Sequence, residues 1–173
     1  MKWSDLRKRI RAGISPEIRG RIDFHVARYR VPRSSADGRA WITVDREQIA
    51  SWSCNEHLIR TLDWHYLFQP PRRPLTSAED HLQLGHYSKK DFLNILKEFL
   101  NSNPQKLLNS KVPLARALAI VDRRIGKRTL EKFPIREETD PIVMLFFALR
   151  MEATTTSGRP HRAPKRRESG REA

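Results

Sequence analysis

The chain has 173 residues, of which 34 are Lys or Arg and 20 are Asp or Glu, giving a formal net charge of +14. This excess attracts nucleic acid, anionic membrane surfaces or an acidic protein, and the length fits one domain with or without a tail. A single cysteine, Cys54, excludes an internal disulfide. The N-terminus is charged throughout, and no apolar run approaches the ~20 residues that cross a bilayer. We therefore expect a cytoplasmic protein without a membrane partner.

The first predicted element is a short amphipathic helix over residues 4–12. Trp3, Leu6 and Ile10 recur at helical spacing, Ser4 is the predicted N-cap, and Gly13 is the predicted stop. Its opposite face is basic, and we interpret that face as solvated. Its members are Arg7, Lys8, Arg9 and Arg11.

A period of two then predicts strands over Arg21–Arg30 and Arg39–Asp45, joined around Asp37 and Gly38, with a third strand over Ile49–Ser53. One face of this sheet is apolar. The other combines charged and aromatic side chains: Arg21, Asp23, His25, Tyr29, Arg39, Trp41 and Asp45.

From there the period changes to 3.6, which predicts helices. A first helix over Glu56–Phe68 ends at a Pro/Arg segment, which we interpret as a linker near residues 69–75. A capping box at Thr76 starts a short helix that Gly85 ends, and Ser88 caps the clearest helix in the sequence. The later helices are predicted after Asn103, from Pro113 to Gly126, over Lys127–Phe133 and over Ile142–Glu152, the last being apolar on nearly every side and hence central.

These elements predict an α+β fold, in which a small antiparallel sheet from the N-terminal half packs against a mainly helical C-terminal half. We expect one domain over residues 1–152. Residues 153–173 are dominated by small and basic side chains, which predicts a disordered basic tail.

One candidate constellation lies on the polar face of the strands. Asp23 and His25 are two residues apart and share a face, and Asp45 is expected on the same face of the partner strand. A histidine oriented by a carboxylate is the minimum for acid–base cleavage of RNA, and the three residues could also hold a divalent ion. The sequence has no nucleophile motif, Gly-rich phosphate loop or Cys/His metal spacing, so our expectation is a non-enzyme without cofactor or metal.

A second constellation is basic. If the helix from Pro113 runs to Gly126, arginines and a lysine form a ridge suited to phosphate contacts. These side chains could instead pair with Asp122, Glu131, Glu137 or Glu138 and fix how the helices meet. The predicted nucleic-acid-binding residues are Arg116, Arg123, Arg124, Lys127 and Arg128 in this ridge, together with Arg28, Arg30 and Arg39 in the strands.

Four blocks of the chain resemble an uncharacterised family of small bacterial proteins. The blocks are Met1–Ser4, Gly20–Arg30, Gly38–Asp45 and Arg116–Arg128, the last containing DRRIGKR. The resemblance spans roughly residues 1–152, while residues 54–87 depart from the family pattern and the tail looks like an addition. It implies a bacterial cytoplasmic protein and carries no activity over to this chain.

The leading functional hypothesis is non-catalytic binding of nucleic acid, dominated by phosphate contacts. A first alternative is an interaction module, such as an immunity- or antitoxin-like protein, that binds an acidic protein partner. A second is a nuclease, metal-independent or metal-assisted, that uses Asp23, His25 and Asp45. The sequence does not decide the oligomeric state.

Overall fold

Alternating apolar side chains form a three-stranded antiparallel sheet in the computed structural model, which describes residues 1–28, 38–53 and 78–156. The strands are β1 (Ile22–Arg28), β2 (Gly38–Val44) and β3 (Glu47–Ser53), in the order β1-β2-β3. The inner face of the sheet is buried, and it includes Phe24, Ile42 and Trp52. The predicted alternation is therefore confirmed.

A two-residue turn joins β2 to β3. Its central residues Asp45 and Arg46 have φ of 51° and 74°, as a type I′ hairpin turn requires. A register shift after Ile42 leaves Ile49 as the extra residue of a bulge in β3. Asp45 thus lies in the turn and not in β2, where the sequence placed it.

Helices make up most of the remaining described chain. Their bounds are α1 (Trp3–Gly13), α2 (Ala78–Gln83), α3 (Lys89–Asn101), α4 (Pro104–Leu108), α5 (Pro113–Val121), α6 (Lys127–Leu130), a 3-10 turn (Ile135–Glu137) and α7 (Pro141–Thr156). The predicted α+β architecture is confirmed.

The core joins the sheet to the helices through α3. Phe92 of α3 contacts Phe24 and Trp52, with ring centroids 6.5 and 5.5 Å apart. The predicted Ser88 cap is present, since its hydroxyl accepts from the Asp91 amide and the Asp91 carboxylate accepts from the Ser88 amide. The cap sets where α3 begins, and so which of its residues face the sheet.

The centre of the helical part is α5, whose residues are all buried except Arg116. It packs against α7, which begins at the predicted Asp140 cap because the Asp140 carboxylate accepts from the Ile142 amide at 2.9 Å. The prediction that α7 is central holds for one side only, since Met144 is 48% exposed.

The predicted extension of α5 to Gly126 is wrong. The helix ends at Val121, and Asp122 takes an extended conformation and pairs with Ile14 in an antiparallel bridge. Two hydrogen bonds fix this bridge, from the Ser15 amide to the Val121 carbonyl (2.8 Å) and from the Arg123 amide to the Gly13 carbonyl (2.9 Å). The chain after α5 is therefore tied to the end of α1.

The ends of three helices, α1, α6 and α7, also differ from the predicted ends. Helix α1 begins at Trp3 with Lys2 as N-cap, so the predicted Ser4 cap is wrong. The predicted helix over Lys127–Phe133 is the shorter α6, and α7 extends to Thr156, beyond the predicted Glu152. The predicted helix over Glu56–Phe68, the linker, the start of the Thr76 capping box and residues 157–173 of the tail lie outside the described residues.

The helices are short or carry charged side chains. None of the helices within residues 1–28, 38–53 and 78–156 combines sufficient length and apolarity to cross a bilayer.

Candidate functional site

Two of the predicted acid–base residues, Asp23 and His25, lie on the outer face of the sheet, and Asp45 lies in the turn at its end. Each of the three side chains interacts with another side chain of the protein. The Asp23 carboxylate accepts from Arg7 of α1, with Arg7 Nε 2.9 Å from Asp23 Oδ1. Burial raises the pKa of Asp23, but the Arg7 guanidinium and the Phe24 amide outweigh it, and the pKa lies below its usual range. The role visible for Asp23 is to hold α1 against β1.

His25 lies on the same face as Asp23 and stacks on Trp41, its partner in the β1–β2 register. The two rings are 5.0 Å apart at centroids and inclined by 8°. The His25 side chain forms a hydrogen bond with Thr43, in which His25 Nε2 and Thr43 Oγ1 are 3.0 Å apart.

Arg39 extends the stack on the β3 side of Trp41. Its guanidinium carbon is 5.3 Å from the Trp41 ring centroid, and its Nε donates to Ser51 Oγ at 2.8 Å. Because Ser51 is the β3 partner of Trp41, the indole has His25 on one side and Arg39 on the other. Arg39 also donates from Nη2 to Gln48 Oε1 at 2.5 Å, so it is held on the sheet surface by a cation–π contact and two hydrogen bonds.

The third predicted acid–base residue, Asp45, pairs with Arg21. Arg21 Nη2 and Asp45 Oδ2 are 2.8 Å apart, and the same guanidinium reaches Glu152 of α7 at 3.0 Å. The Arg21 hydrogen bond holds the pKa of Asp45 below its usual range. The sheet face thus brings Asp23 and His25 near each other, while Asp45 is held at its end by an ion pair.

Within the described part of the chain, no group of three or more His, Cys, Asp or Glu side chains is arranged to hold a metal ion.

The predicted basic ridge does not form, because α5 ends before most of its members. Arg116 stays on α5 and forms a two-pronged pair with Glu138, at 2.8 and 2.9 Å. Arg116 also donates to the Ser110 carbonyl at 2.8 Å. Burial raises the pKa of Glu138, but Arg116 outweighs it and the pKa lies below its usual range. For Arg116, the intramolecular alternative is the one observed.

Arg124 is also paired within the chain. The Asp122 side chain is fully buried and accepts from the Arg124 backbone amide at 2.7 Å and from Arg124 Nη2 at 2.7 Å. This Asp turn replaces the next turn of helix and points the chain from α5 toward α6. Lys127 lies 3.8 Å from Glu131, a weak pair at helical spacing.

Three predicted binding residues remain exposed without a side-chain partner in the described ranges: Arg28, Arg123 and Arg128. Arg30 lies outside the described residues. Arg123 is placed beside α1 by the hydrogen bond from its amide to the Gly13 carbonyl.

A basic surface forms around α1, where the sequence suggested only a solvated helix face. One groove, here the Lys8 groove, has a volume of about 430 Å³ and is lined by Ser4, Arg7, Lys8, Arg11, Ala12 and Arg19. A second, the Arg9 groove, has a volume of about 250 Å³ and is lined by Arg9, Ala12, Gly13, Phe99, Leu100, Arg123 and Arg124. Ala12 lines both, so the grooves adjoin across α1.

The cations of these grooves are largely not neutralised by the protein. Within residues 1–28, 38–53 and 78–156, five of them lack a carboxylate partner: Lys8, Arg9, Arg11, Arg19 and Arg123. Arg19 donates to the Ile14 carbonyl at 3.2 Å, and Arg9 approaches the Met1 sulfur at 3.6 Å. Clustered cations repel one another, and an anion bound among them relieves that repulsion.

The sequence signal for this site was the basic face of α1. The helix contains one acidic residue, Asp5, in its first turn. The sequence named Arg123 as a candidate but did not place it beside α1, because that position depends on the bridge between Ile14 and Asp122.

Comparison with known proteins gives one positive result. A family model described as the SF0329 protein family matches residues 2–151, which includes every described element as far as the body of α7. No curated protein and no solved structure matches the chain. The family is of uncharacterised type, as the sequence blocks implied.

Proposed function

We propose that this chain, which belongs to the SF0329 protein family, binds nucleic acid without cleaving it, through phosphate contacts at the Lys8 and Arg9 grooves. The observation that carries the proposal is the set of five cations that have no carboxylate partner among the described residues and surround two adjoining grooves. Phosphate oxygens accept charge-assisted hydrogen bonds from Lys and Arg side chains.

The backbone of the site is fixed in a way that suits phosphate binding. Arg9 lies on α1, and the Arg123 amide is bonded to the end of the same helix. The side chains are exposed, so they enter contacts from water and release counterions from the nucleic acid. Affinity from such contacts is sequence-independent and falls steeply with salt.

The character of the grooves favours nucleic acid over an acidic protein partner. Protein interfaces bury aromatic and Met side chains at their centre. The aromatic residue of the Arg9 groove, Phe99, is 1% exposed, while the exposed Met144 lies on α7 and lines neither groove. The accessible apolar side chains at the grooves are aliphatic: Leu100 is half-buried in the Arg9 groove, and Met1 is 69% exposed beside Arg9. Among the described residues, no exposed aromatic side chain lines either groove.

Cellular location enters the same proposal. Nucleic acid is available in the cytoplasm, and the lone Cys54 suits a reducing compartment. We therefore propose that the protein acts there.

The test is a salt titration of binding. Wild type, Arg9→Ala, Arg123→Ala and the double variant are titrated against a labelled single-stranded oligonucleotide by fluorescence anisotropy, between about 50 and 200 mM salt. Each arginine removed is expected to reduce the slope of log K against log salt by about 0.7, the value for one phosphate contact on a single strand.

Lys90→Ala is the matched control. Lys90 is exposed, and it lies at the start of α3, ten residues before Leu100 of the Arg9 groove, or about 15 Å along the helix. The Lys90→Ala variant removes one positive charge outside the grooves and should leave the slope of log K against log salt unchanged. Absence of wild-type binding at about 50 mM salt, or equal effects of Lys90→Ala and Arg123→Ala, would overturn the proposal.

A further inference from the structure

A third groove continues the basic surface beyond Arg124 and differs from it in chemistry. This amide groove has a volume of about 560 Å³ and is lined mainly by the segment from Asn101 to Gln105, with Arg124, Ile125 and Thr129 opposite. Arg124 lines both this groove and the Arg9 groove. The three grooves therefore follow one another, linked first by Ala12 and then by Arg124.

The side chains of the amide groove retain unused hydrogen-bonding groups. Asn103 Oδ1 accepts from the Gln105 backbone amide at 2.9 Å, which leaves the Asn103 NH₂ group without a partner among the described residues. Asn101 Nδ2 donates to the Lys97 carbonyl at 2.9 Å, and the Asn101 Oδ1 atom has no hydrogen-bond donor among the described residues. The Gln105 side chain is exposed and forms no hydrogen bond within the described chain. Donors and acceptors thus stand together in a groove without a carboxylate.

Donors beside acceptors are what the edges of bases require. Asn and Gln can hydrogen-bond a base with both atoms of the amide, and adenine presents a donor and an acceptor side by side. A phosphate, by contrast, has acceptors only and gains nothing from the amide oxygens. The amide groove is therefore suited to bases, and the two basic grooves to the backbone.

The shape of the surface favours a single strand. Proteins that read a duplex insert a projecting helix or ribbon into a major groove about 12 Å wide. Here the amide groove is shallow and open, and the element beside it, α4, has five residues and packs on the core through Leu107 and Leu108, so it does not project. A single strand can follow such a surface with its bases unpaired and turned toward the protein.

We infer that the three linked grooves hold one single strand of nucleic acid, with phosphates at the Lys8 and Arg9 grooves and bases read by Asn103 and Gln105 in the amide groove. This inference rests on the proposed function and adds to it a strand type and a source of base preference.

The experiment combines Asn103→Ser with Gln105→Ala. Ser retains an N-cap oxygen for α4, so the helix is expected to persist, which circular dichroism checks. Wild type and the variant are titrated with labelled oligo-dA, oligo-dC, oligo-dT and a hairpin duplex, each over a salt series. Gln83→Ala, an exposed amide on α2 that lines none of the three grooves, is the control.

We expect wild type to bind single strands more tightly than the hairpin and to prefer oligo-dA about fivefold or more, the lower range for one amide–base contact. The variant is expected to lose this preference and keep the salt slope, and Gln83→Ala to match wild type. Wild-type binding without base preference, preference kept by the variant, a slope changed by it or preference for the hairpin would each overturn the inference while the proposed function stands. No binding to any probe would overturn both.

Discussion

The start of α5 depends on one hydroxyl group, and its removal gives a sharp test of the fold. Pro113 has no amide hydrogen, and the amides of Ala115 and Arg116 donate to the Val112 carbonyl at 3.1 and 3.2 Å. The Leu114 amide instead donates to the Tyr87 hydroxyl at 3.1 Å. Tyr87 therefore caps α5 from outside the helix.

The effect of Tyr87→Phe follows from burial. Leu114 is 0% exposed and Tyr87 is 2% exposed, so water cannot replace the lost acceptor. A buried donor left without a partner costs about 1–3 kcal/mol. The phenyl ring should keep its packing against Trp52, at 5.2 Å, so the free energy of unfolding should fall by that amount alone. Burial raises the pKa of Tyr87, so the hydroxyl is neutral at physiological pH and the loss should not vary there with pH.

Urea unfolding followed by circular dichroism measures this loss, with the dependence on urea unchanged because the same surface is exposed. The melting temperature should fall by about 2–4 °C for each kcal/mol. Tyr87→Leu, which also removes the ring, should be less stable still. A Tyr87→Phe protein within about 0.5 kcal/mol of wild type, beside a strongly destabilised Tyr87→Leu, would refute the reasoning, since the ring alone would then account for the residue.

Two further predictions concern the ion pair under α5 and the turn of the sheet. Glu138→Gln removes a carboxylate that is 7% exposed and paired with Arg116, and should lower the free energy of unfolding at pH 7 by about 1.5–3 kcal/mol. Because the folded-state pKa of Glu138 is lowered, its contribution is present above the unfolded value of about 4.3 and is lost as pH falls through the folded value. Acid unfolding curves of Glu138→Gln should therefore be flatter below that pH, and parallel curves would contradict the assignment. Arg46→Gly relieves a φ of 74° in the type I′ turn and should raise the unfolding free energy by about 0.5–1 kcal/mol, as thermal melts can show; a loss of stability would mean that Arg46 has an unrecognised contact.

Local signals in the sequence predicted most of the fold. The alternation in β1 and β2, the Ser88 cap and the prolines that open α4 and α5 each act within a few residues, so they can be interpreted without tertiary structure. The end of α5 could not be predicted in this way. The segment from Asp122 to Ile125 continues the helical pattern of apolar residues, and it leaves the helix because Asp122 pairs with Ile14 from the other end of the domain.

The same reason limits what the sequence says about the site. The number of arginines is visible in the sequence, but which of them have a carboxylate partner is not. Arg116 and Arg124 are neutralised by Glu138 and Asp122, whereas Arg123, adjacent to Arg124, is exposed beside α1. The predicted ridge thus contributed Arg123 to the basic surface, while the face of α1 that had been interpreted as solvated became its larger part.

The bridge between Ile14 and Asp122 also decides when the Arg9 groove can form. The Arg9 groove has one wall from α1 and another from the segment after α5. The two walls come together only when the bridge between Ile14 and Asp122 forms. Contacts between residues so distant in sequence form late, because closing a long loop is slow. During synthesis, α1 leaves the ribosome long before Arg123, so a nascent chain carries the charges of α1 without an assembled Arg9 groove. Under the proposed function, binding at the Arg9 groove would then begin only after the C-terminal half has been made, and would follow any nonspecific attraction of α1 to the RNA that surrounds a growing chain.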